Sequence, residues 1–205
     1  VSDIIMNPLM VRAMEGIATP EDIRAEQRKM NWHDMPHHER FVQFSLLDSD
    51  GAVHDRLRKL VFRMFTPAMI ARLRDQIQTY VEGLIDSFAD RPQIDFIADM
   101  AAHVPGHIIG TLRGVPDEDC PRLRHWSERI VQYFDLDRSA ERKEMAETAT
   151  TEFYHYLRDL AAIRARAPKD DLISQLNTHR DSGALSEDEF ISTCMLILMA
   201  GHGST

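Results

Sequence analysis

The stretch His54-Asp-Arg-Leu-Arg58-Lys-Leu-Val61-Phe-Arg63-Met64-Phe65-Thr66-Pro67 reads as one amphipathic helix running up to the start of a second. At about 100° per residue, Leu57, Leu60, Val61 and Met64 fall on a single apolar stripe, while Arg56, Lys59 and Arg63 lie on the opposite, solvent-facing side. His54 and Arg58, four residues apart, take a third direction at the edge of the stripe. Thr66 then offers a capping hydroxyl before a Pro at the first position of the next helix. From His54 to Arg74 six basic side chains face the single acid Asp55, a local excess of positive charge in a chain whose formal net charge is −9. Two donors side by side at a core boundary suit a half-buried carboxylate or phosphate, because Arg offers a rigid fork and His a second donor. The outward trio either meets an acidic partner protein, where complementary charge speeds encounter, or forms a solvated face that snorkels its long side chains. Spacing alone leaves both open.

Outward from this stretch the pattern stays helical, with apolar residues at three- and four-residue spacings. Thr19-Pro20-Glu-Asp22 marks another start, and Ser186-Glu-Asp-Glu189 reads as a capping box. Helices are expected over Met69 to Ala89, Ala101 to Leu112, Cys120 to Phe134 and Ser139 to Arg166. Gln93 to Ile97 is the one candidate strand, and Trp32 to Asp50 reads as a long loop with a short helical piece.

With 205 residues, 43% hydrophobic and 28% charged, the chain has the length and composition of one globular domain, and no repeat or low-complexity tract appears. The acidic balance excludes a general nucleic-acid binder. Two cysteines make no disulfide framework or zinc ribbon and point to a reducing, cytoplasmic setting, and no signal peptide is visible. The apolar run Met195 to Ala200 is far shorter than the roughly 20 residues that span a bilayer, so no membrane association is expected. That run stands close to the last residue, and the chain opens on Val1 rather than Met, so both ends read as cut from something larger.

Several candidates carry less. His33, His37 and His38 read as solvated loop histidines, and His103 with His107, at i and i+4 without a HExxH glutamate, as a packed or exposed pair. Cys120 and Cys194 read as structural, and no nucleophile elbow or phosphate loop is present.

Four blocks in order give a resemblance. Ser45-Leu-Leu-Asp48 leads into His54…Arg58 and Phe65-Thr66-Pro67. Ile108-Ile-Gly-Thr-Leu-Arg-Gly-Val-Pro-Asp117 and Lys169-Asp-Asp-Leu-Ile-Ser-Gln-Leu176 follow, and Leu196-Ile-Leu-Met-Ala200-Gly201-His202-Gly203-Ser204-Thr205 ends the series. Together they resemble the soluble, bacterial-type cytochrome P-450 monooxygenases, from the B helix, whose end Asn7-Pro8 would mark, into the middle of the I helix. The resemblance implies a mainly α fold, part of the P-450 orthogonal helix bundle with minimal β structure, and a single domain that is an internal portion of a longer chain. It implies haem b (iron protoporphyrin IX), with His54 and Arg58 donating to a propionate and Ala200 and Gly201 lying over the cofactor. Arg56, Lys59 and Arg63 would face a ferredoxin-type electron donor. The Trp32 to Asp50 segment would cover a small-molecule substrate that is oxidised with O2. Leu196 and Met199 would point toward substrate, although a buried apolar face explains them equally.

The family's oxygen-activating motif is usually AGxET or AGxDT, where the alcohol positions water and the acid relays protons. Here Gly203 replaces the acid and Ser204 the Thr, followed by Thr205. Ser204 and Thr205 are therefore the catalytic candidates, Gly203 marks either a missing relay acid or a helix end, and the two glycines predict a widened helix. No metal ligand is assigned within the chain, since the family's axial Cys lies in a motif downstream of the I helix. The competing reading is a helical small-molecule sensor, which should carry a basic helix-turn-helix that residues 1–40 do not supply.

Overall fold

The computed structural model describes residues 19–203 except 64, 102 and 135–137; the expected B helix, Met64, Ser204 and Thr205 lie outside these described residues. Nine helices are assigned among them: α1 (Pro20–Lys29), α2 (Pro36–Gln43), α3 (Gly51–Phe62), α4 (Pro67–Asp86), α5 (Val104–Arg113), α6 (Cys120–Gln132), α7 (Ala140–Arg166), α8 (Leu172–Asp181) and α9 (Glu187–Gly203). Short 3-10 turns at Leu46–Asp48 and Asp117–Asp119 precede α3 and α6.

Local chemistry sets most of the starts. Thr19 and Asp22 form a reciprocal capping box on α1, and Ser139 accepts from the Arg142 amide at the head of α7. At the head of α9 the Glu189 N–H donates to Ser186 Oγ (3.1 Å) while the Ser186 N–H donates to the Glu189 carboxylate (2.9 Å).

One expected element is corrected. Gln93 to Ile97 forms no strand: Asp95 Oδ1 accepts from the Ile97 and Ala98 amides (3.0 and 2.9 Å), and Asp99, held by Arg91, accepts from the Asp95 amide (2.8 Å). These side-chain bonds turn the backbone into the π-helical segment Phe96–Ala101, since Asp competes for backbone donors that a strand would leave for a neighbour. The Trp32 to Asp50 segment carries the short helical piece expected of it, Pro36–Gln43, and is built into the core, with Met35, Phe41 and Val42 buried. Its helix α2 has Pro at the first position and a Met that cannot cap it. The cap comes instead from Glu147 of α7, which accepts from both the His37 and His38 amides at 3.1 Å.

At the centre lies α9. Phe190, Ile191, Cys194, Met195, Ile197, Leu198 and Met199 are all buried, so the helix is covered on every side as far as Met199. Helices α2, α5, α6, α7 and α8 pack around it. Among the described residues no helix is long and apolar enough to cross a membrane. The helix continues through Gly203, and the Ser204 and Thr205 amides, on which the expected widening depends, lie outside the described residues.

A buried ion pair ties the outer helices together. Arg164 of α7 donates to the Asp171 carboxylate (Nε to Oδ2, 2.7 Å) and to the Gly114 carbonyl, while Asp171 Oδ1 caps α8 through the Ser174 amide (2.8 Å). Gly114 has φ +80°, and a Cβ there would overlap the Asp171 carboxylate. Gly114→Ala is therefore expected to lower stability by about 3 kcal/mol or more, the cost of disrupting a buried pair plus backbone strain, measured by denaturant unfolding.

Candidate active site

The α3 helix presents the residues singled out from sequence on three distinct sides. Leu57 is buried, and Leu60 and Val61 pack against the core. Lys59 and Arg63 are exposed, with Phe62 at 67% exposure between them. At the other edge of the stripe, Arg58 is exposed with no acid paired to it among the described residues, and His54 is about one-third exposed, its Nδ1 3.7 Å from Asp55. Two cationic or N–H donors stand together there with little intramolecular compensation, the donor set that a carboxylate-bearing ligand requires.

Arg56 departs from the expected outward face. Its Nη1 donates to the Ala184 carbonyl (2.8 Å) and to Glu189 Oε2 (3.3 Å), and its Nη2 pairs with Glu189 Oε1. A guanidinium on a long stem reaches round the helix to a carboxylate 133 positions away, which helical periodicity does not report. Burial raises the Glu189 pKa, but the Arg56 hydrogen bond, the Ser186 amide and the Arg56 charge more than offset it and hold the carboxyl below its ordinary value.

On α9, Met199 is buried and Leu196 packs against the core, so the core accounts for both in the described structure. Ala200 is exposed and Gly201 half-buried, so the helix emerges from the core one residue after Met199. Glu189 and Ala200 are 11 residues apart, about 16 Å along the axis. Thus α3 is tied to one end of α9, and the glycine-bearing end lies roughly three to four turns away.

No protein-family model matches the chain. A cytochrome P450 of Bacillus subtilis is 35% identical over 161 residues, covering 78% of this chain and 38% of that protein. The cyclomarin C epoxidase of Salinispora arenicola is 36% identical over 164 residues, covering 78% of this chain and 41% of the epoxidase. Among solved structures, a myxobacterial cytochrome P450 in complex with myristic acid superposes with a TM-score of 0.85 at 34% identity, over 98% of this chain and 48% of that one. The chain belongs to the cytochrome P450 superfamily. It spans less than half the length of each of these relatives.

The cofactor of cytochrome P450s is haem b, and the exposed, uncompensated Arg58 beside His54 fits its anionic propionates. Neither cysteine is placed as a reactive thiolate: Cys194 is buried in α9, and burial followed by Asp117, Asp119 and Glu118 pushes the Cys120 thiol up to about 11. His107 stacks on Tyr80 (3.6 Å, 7°) and lies 3.1 Å from Asp117, whereas His103 is exposed; both line a cleft of about 360 Å³ between α4, α5 and α6. Among the described residues no three potential ligands stand close enough to hold a metal ion.

Sequence reasoning also missed a polar latch beside α2. Asn31, at φ 59°, accepts from Tyr133 Oη through its carbonyl (2.5 Å) and from Lys143 Nζ through its side chain (3.0 Å). Arg138 donates to the Met30 carbonyl (2.9 Å), and Lys143 pairs with Asp34. Only the left-handed Asn31 hinted at this, since Asn is among the few residues that tolerate that backbone.

His38, expected in solvent, is fully buried among Trp32, Phe41, Tyr133 and Phe134, with Nδ1 3.5 Å from Thr150 and Nε2 unpaired. Its burial depends on aromatic residues nearly 100 positions away. Desolvation, then the charge of Arg138, lowers its pKa from 6.5 to about 4, so the folded protein keeps it neutral. Unfolded, it takes up a proton near its ordinary value. Stability is thus unaffected above pH 6.5 and falls as pH drops from there toward 4, with a slope approaching about 1.4 kcal/mol per pH unit. Unfolding measured across that range should show this slope, and His38→Phe should remove it.

Proposed function

We propose that the chain is part of a haem-dependent monooxygenase that oxidises a small apolar or natural-product-type substrate with O2 and two electrons from a redox partner. The observation that carries this reading is the pair of donors His54 and Arg58 at the core boundary of α3, on a different side of the helix from the exposed Lys59 and Arg63. A relative that epoxidises cyclomarin C and a structural neighbour that binds myristic acid favour a substrate of that kind.

Haem, held through its propionates by His54 and Arg58 and ligated by a Cys outside these 205 residues, would supply the oxygen-activating chemistry. The chain's own residues do the rest. Helix α9 lends a rigid, buried rod whose emerging end, Ala200 and Gly201, would face the cofactor. Ser204 and Thr205, which follow in sequence, would offer hydroxyls to hold a water and pass a proton. With Gly203 in place of the usual acid, the proton must come from His202, from the substrate or from ordered water. The segment from Trp32 to Asp50, pinned to α7 by Glu147, covers the substrate side and excludes bulk water.

Lys59 and Arg63 offer an acidic, ferredoxin-type donor its landing charges, whereas Arg56 is engaged by Glu189 and contributes little there. The setting is cytoplasmic. The 205 residues then form the portion of a longer polypeptide that carries the substrate cover and the haem-edge donors.

The reduced, carbon-monoxide-treated intact protein should give the red-shifted Soret band of thiolate-ligated haem; a colourless protein would sink this reading. Arg58→Ala should lower haem occupancy. Arg63→Ala should leave occupancy intact and slow reduction by an acidic donor several-fold at low salt, the difference vanishing as ionic strength rises. Equal haem loss in both variants would contradict the assignment of the two sides.

A further inference from the structure

The first turn of α9 is ringed by arginines from three other helices. Glu187 lies 3.4 Å from Arg180 of α8, Asp188 lies 3.8 Å from Arg40 of α2, and Glu189 pairs with Arg56 of α3. The Arg56 contact differs from the other two. Glu189 is the least exposed of the three acids at 14%, both of its oxygens meet the guanidinium, and the same guanidinium also holds the Ala184 carbonyl. Arg56 is also the only one of the three arginines on the helix that carries His54 and Arg58.

Residues two apart on a helix point roughly 200° away from each other. Arg56 sits between His54 and Arg58 in sequence, so its side chain leaves α3 on the flank opposite the one they share. We infer that Arg56 is a positioning residue: by gripping Glu189 and the Ala184 carbonyl from behind, it fixes the rotation of α3 about its own axis and thereby presents His54 and Arg58 toward the cofactor. The inference rests on the reading that those two residues hold a haem propionate.

The apolar stripe of α3 does not fix that rotation alone. Only Leu57 is fully buried, while Leu60 and Val61 are partly exposed and Phe62 is out in solvent. A bidentate guanidinium–carboxylate pair adds directional restraint that apolar contacts lack. Glu189 is itself held by the Ser186 capping box, so the anchor point belongs to the rigid head of α9. The tie therefore couples the helix bearing the propionate donors to the one whose far end reaches the oxygen site.

The test is the rate of haem transfer from the intact, haem-loaded protein to an excess of an apo-globin acceptor, at a temperature well below unfolding. Arg56→Gln and Glu189→Gln should each speed haem loss about three- to tenfold, the range of one net hydrogen bond, and the double variant no further than Arg56→Gln, because the Glu189 contact is part of the same grip. Gln at position 189 still completes the capping box, so Glu189→Gln carries the test if Arg56→Gln does not fold. Arg56→Lys, which keeps the charge but not the fork, should fall between Arg56→Gln and the parent. Arg164→Lys, which weakens the ion pair joining α7 and α8, should lower the unfolding midpoint yet leave haem loss unchanged. Arg58→Ala should exceed all of them. Parental rates in Arg56→Gln and Glu189→Gln alongside faster loss in Arg58→Ala would overturn the positioning role, as would equal acceleration by Arg164→Lys. A parental rate in Arg58→Ala would overturn the propionate reading itself, and this inference with it.

Discussion

A helix buried around its whole circumference needs walls on every side, and α9 from Phe190 to Met199 imposes that constraint on everything else. Five helices are recruited as its walls, and four of them contribute named apolar side chains: Phe41 from α2, Leu123 and Ile130 from α6, Phe153 and Leu157 from α7, Leu176 from α8. Dispersion and hydrophobic burial hold such an assembly together without specifying its angles closely. The angles come from polar contacts at helix ends.

Three of those contacts have one design. Glu147 caps α2 from α7, Asp171 caps α8 while holding Arg164, and Glu189 helps to cap α9 while holding Arg56. In each case one carboxylate satisfies helix-terminal N–H groups that would otherwise be unpaired and at the same time orients a second structural element. The acids also sit at helix N-termini, where the helix dipole favours negative charge. A chain with a net charge of −9 thus uses part of its acidic excess as structural fastening.

Much of this was legible in the sequence. Helix starts at Thr19, Pro67, Ser139 and Ser186 were readable because the cap and the capped amide lie within a few residues of each other. The stripe of Leu57, Leu60 and Val61 was readable because a helix converts spacing into direction. The strand expected at Gln93 to Ile97 failed because alternation ignores the bonds that Asp95 and Asp99 make to their own backbone. The start of the short helix within Trp32 to Asp50 was not legible because the acid that caps α2 lies about 110 positions away. His38 was placed in solvent because the rings that enclose it, Tyr133 and Phe134, belong to the end of α6 and the turn beyond it.

The sequence by itself determined that the protein is helical, where most of its helices begin, that the apolar run Met195 to Ala200 belongs to the core, and that α3 separates an apolar stripe from two groups of cations. Those properties depend on residues within one or two turns of each other, where the geometry of the helix is known in advance. Only the tertiary structure decided that Arg56 turns inward to Glu189 while Arg58 stays outward, and that His38 is sealed from water. Both outcomes depend on which distant carboxylate or ring arrives within a few ångströms, and the packing of helices around α9 sets that, beyond the reach of local periodicity.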